Sequence, residues 1–404
     1  VKTRKSVAFA AILSSTALIA LTACTDSSKA DADSSASESG STASATDITV
    51  AAAGDDLYLA GVCPAKVVFQ QDWEPEAEHA GMYGLVGPDY TVDTDKKRVS
   101  GSLVASGVDT GIDIEVRPGG SAVSYQSVAS LMYSDKDITF GAVNTDSAIA
   151  AFKEQPVTAV AAQLNVSPQI IMWNKESYPA ATTIKEVADA GATVVVSGGG
   201  SNLGAILSGG GAVPADQIDP SYNGDPSRFV GDKTIAQQGF VSAEPYVYKN
   251  EVAAFGGKEV GWQLASEVGY TIYPEPISVR TGDLETLRPC LEKIVPILQQ
   301  VQIDYLNNPE PTNKLIIDLV DQYQTGWVYT YETAQYAAGA LKQYNIVKND
   351  ASGLFGGMDE GRIDELLTRV VPILQADGAS IKDGLKASDL FTNEFLDESI
   401  TYEK

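Results

Sequence analysis

Residues 69–83, FQQDWEPEAEHAGMY, gather the only histidine (His79) with Trp73, Asp72 and three glutamates, directly after the apolar run KVVFQ (66–70). Such residues can serve catalysis, metal binding, or recognition of a guest by stacking and hydrogen bonding. Catalysis needs partners, and one imidazole supplies few. A Ser-His-Asp arrangement on His79 would call for a serine on a strained elbow, and the chain has no G-x-S-x-G. Zinc is poorly served by a single imidazole with only carboxylates besides, and no D-x-D-x-D-G calcium loop occurs, so no metal and no cofactor is expected. Recognition fits better. Asp72 and Trp73 stand just past the carboxyl end of a predicted strand, where open α/β sheets bind ligands, and Pro75 bars the strand from continuing. His79 has two readings, ligand contact or a buried imidazole that organises the turn. Of Glu74, Glu76 and Glu78, at least two are expected to be solvated.

The elements that must position these residues are read from hydrophobic period. Short β-rich runs recur at KVVFQ (66–70), IDIEVR (112–117), ITFGAV (138–143), VTAVAAQ (157–163), QIIMWN (169–174), TVVVSG (193–198), QGFVSAE (238–244) and ISVR (277–280). Segments of helical spacing lie between them, such as 123–133 and 145–154, and alternation of this kind predicts mainly parallel sheets covered on both faces. After residue 283 the pattern is almost wholly helical. Pro289 and Pro296 are expected to break or kink the first of these helices, and the tyrosines between Tyr323 and Tyr344 are read as packing for the layer.

The first 23 residues carry Lys2, Arg4 and Lys5, no acid, and an apolar stretch too short to span a bilayer comfortably, which reads as an export signal. It ends in LTAC, similar to the lipobox at which bacterial signals are cut so that the cysteine, here Cys24, carries lipid. Residues 24–47 then read as a tether, for 25–47 hold no aromatic residue and no Leu, Ile or Val. Its reach is roughly 25–30 Å. Loss of the leader takes the net charge from −25 to −28, and a chain this acidic repels nucleic-acid phosphate, so no nucleic-acid partner is expected. Cys63 and Cys290 remain as an even pair in an oxidising compartment and are expected to form a disulfide, two separately buried thiols being the alternative.

DWEPEAEHAGMY resembles the DW-x-P-x(3)-H-x-G-x-Y signature of bacterial solute-binding proteins for thiamine-pyrimidine precursors, a branch of the nitrate/sulfonate/taurine-type receptors of ABC importers. The resemblance continues through IDIEVRPGGSA, DITFGAVNTDSAIAA, PVTAVAA and QQGFVSAEPYVY in the same order. It implies a two-lobed periplasmic-binding fold of type II with a C-terminal helical layer, closing on a ligand in the cleft. Lobe 1 is expected at 48–165 and 246–404, lobe 2 at 166–245, with crossovers near 164–168 and 243–248. Carried over residue by residue, Trp73 stacks on a flat heterocycle, Asp72 bonds it, and His79 and Tyr83 are the motif histidine and tyrosine. Gly119 and Gly120 belong to a turn whose N–H groups face the cleft, and Glu244 in SAEPY receives a ring amine. Asn144, Ser197, Ser201, Asn202 and Tyr246 complete the expected contacts. The glycine-rich SGGGSNLGAILSGGG (197–211) lacks the Lys-Ser/Thr of a P-loop.

The resemblance implies a monomeric, lipid-anchored extracytoplasmic receptor working with a permease and an ATPase on a small nitrogenous heterocycle. Two rivals follow from it. A nitrate- or sulfonate-type anion is one, although acids at 72, 74 and 244 around the cleft would repel it. The other is a pyrimidine-synthase-like enzyme, but such enzymes carry a lysine and a histidine where this chain has Val143 and Ser147. A surface scaffold that kept the fold and lost the pocket is a third reading, from another class. Cys24→Ser is expected to move the protein from the membrane to the soluble fraction of its host, as fractionation would show.

Overall fold

The structure is a computed structural model that describes residues 48–198 and 201–403. The expected export signal 1–23, Cys24 with its expected lipid, the expected tether 24–47 and two glycines of the 197–211 segment, Gly199 and Gly200, lie outside the described residues. The strands are β1 (Thr49–Val50), β2 (Lys66–Gln70), β3 (Thr91–Asp93), β4 (Arg98–Ala105), β5 (Val108–Arg117), β6 (Phe140–Ala142), β7 (Val157–Ala161), β8 (Gln169–Asn174), β9 (Val194–Ser197), β10 (Ile218–Tyr222), β11 (Ala236–Phe240), β12 (Val260–Leu264) and β13 (Ile277–Arg280). An eight-stranded sheet has the order β3-β4-β5-β2-β6-β13-β7, with β1 on β5, and a five-stranded sheet the order β10-β9-β11-β8-β12.

β2 is buried from Val67 to Gln70 and lies parallel to both β5 and β6, which is why its sequence is continuously apolar rather than alternating. The sheets are nevertheless mixed, not mainly parallel. Two causes account for this. β4 and β5 form a hairpin whose turn residues Ser106 and Gly107 both have positive φ, +48° and +79°, the backbone of a tight turn between antiparallel strands. The other cause is crossing between sheets: β8 and β13 each enter from the other sheet without an intervening crossover helix, and both pair antiparallel with their neighbours.

The chain leaves the first sheet between Ala161 and Gln169, in line with the expected first crossover. Its return lies between Leu264 and Ile277, later than the 243–248 expected, because β12 adds to the second sheet beside β8. The expected crossover region is instead a helix, Glu244–Asn250, whose Tyr246 stacks on Tyr336 of the C-terminal layer. VGWQL has too little alternation to announce a strand, and its pairing with β8 creates it.

The helical layer comprises Leu284–Asn307, Glu310–Tyr323, Tyr331–Gln343 and Glu360–Ala376. Leu284–Asn307 runs unbroken through Pro289 and Pro296. Each proline removes one N–H from the ladder, but Leu291, Ile294, Val295 and Leu298 share a buried apolar cluster with Val67, Phe69 and Phe140 of the first sheet, and that packing holds the helix. Tyr323 and Tyr329 are buried in the same cluster. From Glu360–Ala376, Arg362 reaches both crossovers: its guanidinium donates to the carbonyls of Asn165 (2.8 Å), Thr271 (3.0 Å) and Ile272 (2.5 Å) and lies 3.7 Å over the Tyr273 ring.

Cys63 and Cys290 form a disulfide across 227 residues of sequence and tie the start of the first sheet to the long helix. Chain-entropy arguments give such a closure roughly 3–5 kcal/mol. The Cys63→Ala/Cys290→Ala double variant is therefore expected to unfold at lower urea concentration with a loss of that order, measured by equilibrium denaturation.

Candidate functional site

Where the carboxyl ends of β2 and β6 face the second sheet, the cleft holds a cavity of about 130 Å³. Asp72, Trp73, Gly120, Asn144, Ser197 and Ser201, all expected from sequence, line it. Trp73 leaves β2 after two residues and presents a half-buried indole, 6.0 Å edge-to-face from Trp327 and 5.9 Å from Tyr125. A Cβ placed on Gly224, beyond β10, would stand 3.8 Å from that indole, so the second sheet approaches it closely.

The expected glycine turn acts differently from its reading. Gly119 N–H donates to the Trp73 carbonyl (2.7 Å) and Gly120 N–H to that of Asp72 (3.1 Å), so these donors fix the 72–73 backbone instead of facing the cleft. A Cβ on Gly119 would come within 2.2 Å of the Asp72 carbonyl carbon, so only glycine fits there.

His79 is buried behind the wall. Its Nδ1 is 3.2 Å from the Glu74 carbonyl, while Nε2 is 3.0 Å from Asp72 Oδ1 and 3.2 Å from Glu275 Oε2. Burial pulls the imidazole's pKa down, but Glu275 and Asp72 together carry it well above the usual histidine value. Asn144 joins both acids: its Nδ2 donates to Asp72 Oδ2 (2.8 Å) and its Oδ1 accepts from Glu275 N–H (3.1 Å). Glu275, also on the cavity wall, has its pKa pushed up to about 7 by burial and by Asp72, with His79 opposing.

Several expected contacts do not reach the cavity. Tyr83 is fully buried in the apolar core, carried inward by the short helix Ala80–Tyr83. Glu244 lies behind Phe240 and Tyr222, accepting from Phe240 N–H (2.6 Å) and Tyr222 O–H (3.1 Å), and it is Tyr222 and Phe240 that face the cleft. Tyr246 is turned toward Tyr336. Asn202 donates to Asp146 Oδ2 (3.2 Å) from one step outside the lining. Glu74, Glu76 and Glu78 are all buried, against the expectation that two are solvated. Glu74 accepts from Ser121 (2.5 Å) and Thr325 (3.1 Å), and Glu78 accepts from Ser242, partners that only the fold supplies.

Sequence reasoning missed Asp146, Gln169, Gln238, Tyr270 and Glu275 in the wall. Asp146 had a signal: it follows Asn144 by two residues beyond β6, under the same strand-end rule that selected Asp72. One of its oxygens accepts from Tyr270 O–H (3.1 Å) as well as from Asn202; the other, Oδ1, is buried and accepts no hydrogen bond. Glu275 was marked only by its flanking prolines.

No protein-family model matches the chain, and no curated protein matches its sequence. Solved structures do. The chain is similar to a protein of Bordetella bronchiseptica RB50 at 12% identity and TM-score 0.51, over 82% of this chain and 96% of that one. It is similar to the periplasmic nitrate-binding protein NrtA from Synechocystis PCC 6803 at 10% identity and TM-score 0.50, over 82% and 87%. The periplasmic aliphatic sulphonate binding protein SsuA from Escherichia coli matches at 10% identity and TM-score 0.47, over 78% and 88%. The first two show the fold, that of a periplasmic binding protein with two α/β lobes. At such identities the ligand has to be argued from this chain's own residues.

Burial lifts the Glu244 pKa from 4.5 to about 7. The folded state therefore holds this proton more tightly than the unfolded chain. The contribution is fully present below about pH 4.5 and is lost as the pH rises through about 7, a change on the order of 3 kcal/mol. Glu244→Gln, which keeps an acceptor for Phe240 N–H, is expected to gain stability relative to the parent between pH 5 and pH 8, read as a growing difference in Tm.

Proposed function

We propose that the protein is an extracytoplasmic solute-binding receptor that captures a small, planar, amine-bearing nitrogen heterocycle between its lobes and delivers it to an ABC permease and its ATPase. It works as a monomer, held to the outer face of the bacterial cell membrane by lipid on Cys24, and carries out no reaction. Its second lobe runs from about residue 166 to about residue 265, following the strands of the five-stranded sheet.

One observation carries the reading of the ligand: Asp72, Asp146 and Glu275 line the cavity, and no lysine or arginine stands among the described lining residues. An amine gains from these carboxylates, whereas an anion meets three of them with only His79 set behind. Size and shape agree. A cavity near 150 Å³ takes up benzene, and this one, at about 130 Å³, is suited to a single ring. Trp73 offers that ring a face, a contact of roughly 1–3 kcal/mol for a flat base, and the unpartnered Asp146 Oδ1 offers an acceptor for an exocyclic amine.

Asp146 of the wall bonds across the cleft to Asn202, one step outside the lining, so the lobes meet beside the cavity when they close, and a guest touching both lobes would favour the closed form that a permease recognises. The relatives named for nitrate and sulphonate keep an anion as the second reading. Calorimetric titration separates the two. An aminopyrimidine is expected to bind, and nitrate and taurine are not; saturable binding of either anion, with none of the amine, would reverse the assignment. Failure of every small solute to raise Tm would favour a scaffold. Trp73→Ala is expected to weaken heterocycle binding more than tenfold with the Tm of the empty protein nearly unchanged.

A further inference from the structure

We propose that Asp72, His79 and Glu275 form a site for one divalent transition-metal ion in the cavity wall. Histidine Nε2 and one oxygen from each carboxylate all lie within 4.8 Å of one another. Nε2 stands 3.0 Å from Asp72 Oδ1 and 3.2 Å from Glu275 Oε2. Two donors each about 2.1 Å from a metal are roughly 3.0–3.4 Å apart for coordination angles from square to tetrahedral. Both spacings to Nε2 fall in that range.

The other ring nitrogen fixes the tautomer. A carbonyl can only accept, so Nδ1, 3.2 Å from the Glu74 carbonyl, carries the hydrogen, and Nε2 is left for a proton or a metal. Metal-bound histidines are held in this way, with the second nitrogen donating to a carbonyl or carboxylate. The acids are oriented from outside as well, by the single Asn144 amide that bonds the Asp72 carboxylate and the Glu275 backbone. Glu275 is held at φ +53° between Pro274 and Pro276, a left-handed backbone uncommon for a residue with a side chain.

A second observation points to a cation here. Asp146, 1% exposed, adds a third carboxylate to the same cavity, its Oδ1 without a partner, and no lysine or arginine among the described lining residues balances the three. Since Asp72 and Glu275 line the cavity, coordination positions left over by the protein open toward its interior. One imidazole with two carboxylates suits Mn²⁺ or Fe²⁺ better than Mg²⁺ or Ca²⁺, which favour oxygen alone, and an ion held here replaces the expectation from sequence that no metal binds. Local spacing offered His79 only the carboxylates beside it, whereas Glu275 lies 196 positions away along the chain.

The rival occupant is a proton, making His79 an imidazolium between two carboxylates. Full-length protein stripped with EDTA and titrated with Co²⁺ distinguishes them. One equivalent is expected to bind with visible d–d bands, to be displaced by Zn²⁺, and to lose more than about tenfold in affinity in both His79→Gln and Glu275→Gln, each first shown to be folded by its melting transition. Absence of saturable binding below about 1 mM, or binding that both variants leave unchanged, overturns the site. The same stripped protein is titrated with 4-aminopyrimidine. Heterocycle binding without metal binding removes the metal site and leaves the receptor reading intact; metal binding without heterocycle binding keeps the metal site and removes the aminopyrimidine as guest.

Discussion

The cavity wall depends on the burial of one imidazole between two carboxylates. Taking charged groups out of water is costly unless they are paired and hydrogen-bonded, and here Asp72, His79 and Glu275 meet that condition only together. Asn144 binds the two acids from the side, and the Glu74 carbonyl binds the imidazole from behind. Trp73 takes its place from this arrangement, since its backbone is fixed on one side by Asp72 and on the other by the N–H of Gly119. The stacking surface and two of the three carboxylates of the cavity therefore belong to one cluster, to which Asp146 adds the third.

That cluster lies close to the two crossovers between the sheets. Glu275 is on the returning crossover, and Arg362 binds the backbone of both crossovers at once through Asn165, Thr271 and Ile272. The C-terminal helix Glu360–Ala376 thus has a mechanical place: it anchors the segments about which the lobes would rotate, while also packing on the helix Leu203–Gly209 of the second lobe. A guest that touches Glu275 touches a residue of the returning crossover itself.

The fold is shared with a periplasmic protein named for nitrate binding, yet a common fold does not carry a common ligand. A wall of three carboxylates without a lysine or arginine among its described residues is the opposite of what a permanently anionic guest needs. On the proposed reading, the guest brings positive charge or donor hydrogens to these carboxylates, or meets a cation bound among them.

Local sequence determined the strands that are buried on both faces, KVVFQ and QIIMWN, because continuous β-branched and apolar runs leave no face to give to water. It determined the disulfide from the cysteine count, and Asp72 and Trp73 from their places just beyond a strand end. Tertiary structure decided whatever depends on partners distant in the chain. It buried Glu74, Glu76 and Glu78, two of them against Ser121, Thr325 and Ser242, drew Glu244 behind Tyr222, and made VGWQL a strand by pairing it with β8. Above all it brought Glu275 to His79. Periodicity and motif spacing report only near neighbours, while the charge of a cavity is a sum over residues that meet solely because two lobes cross twice.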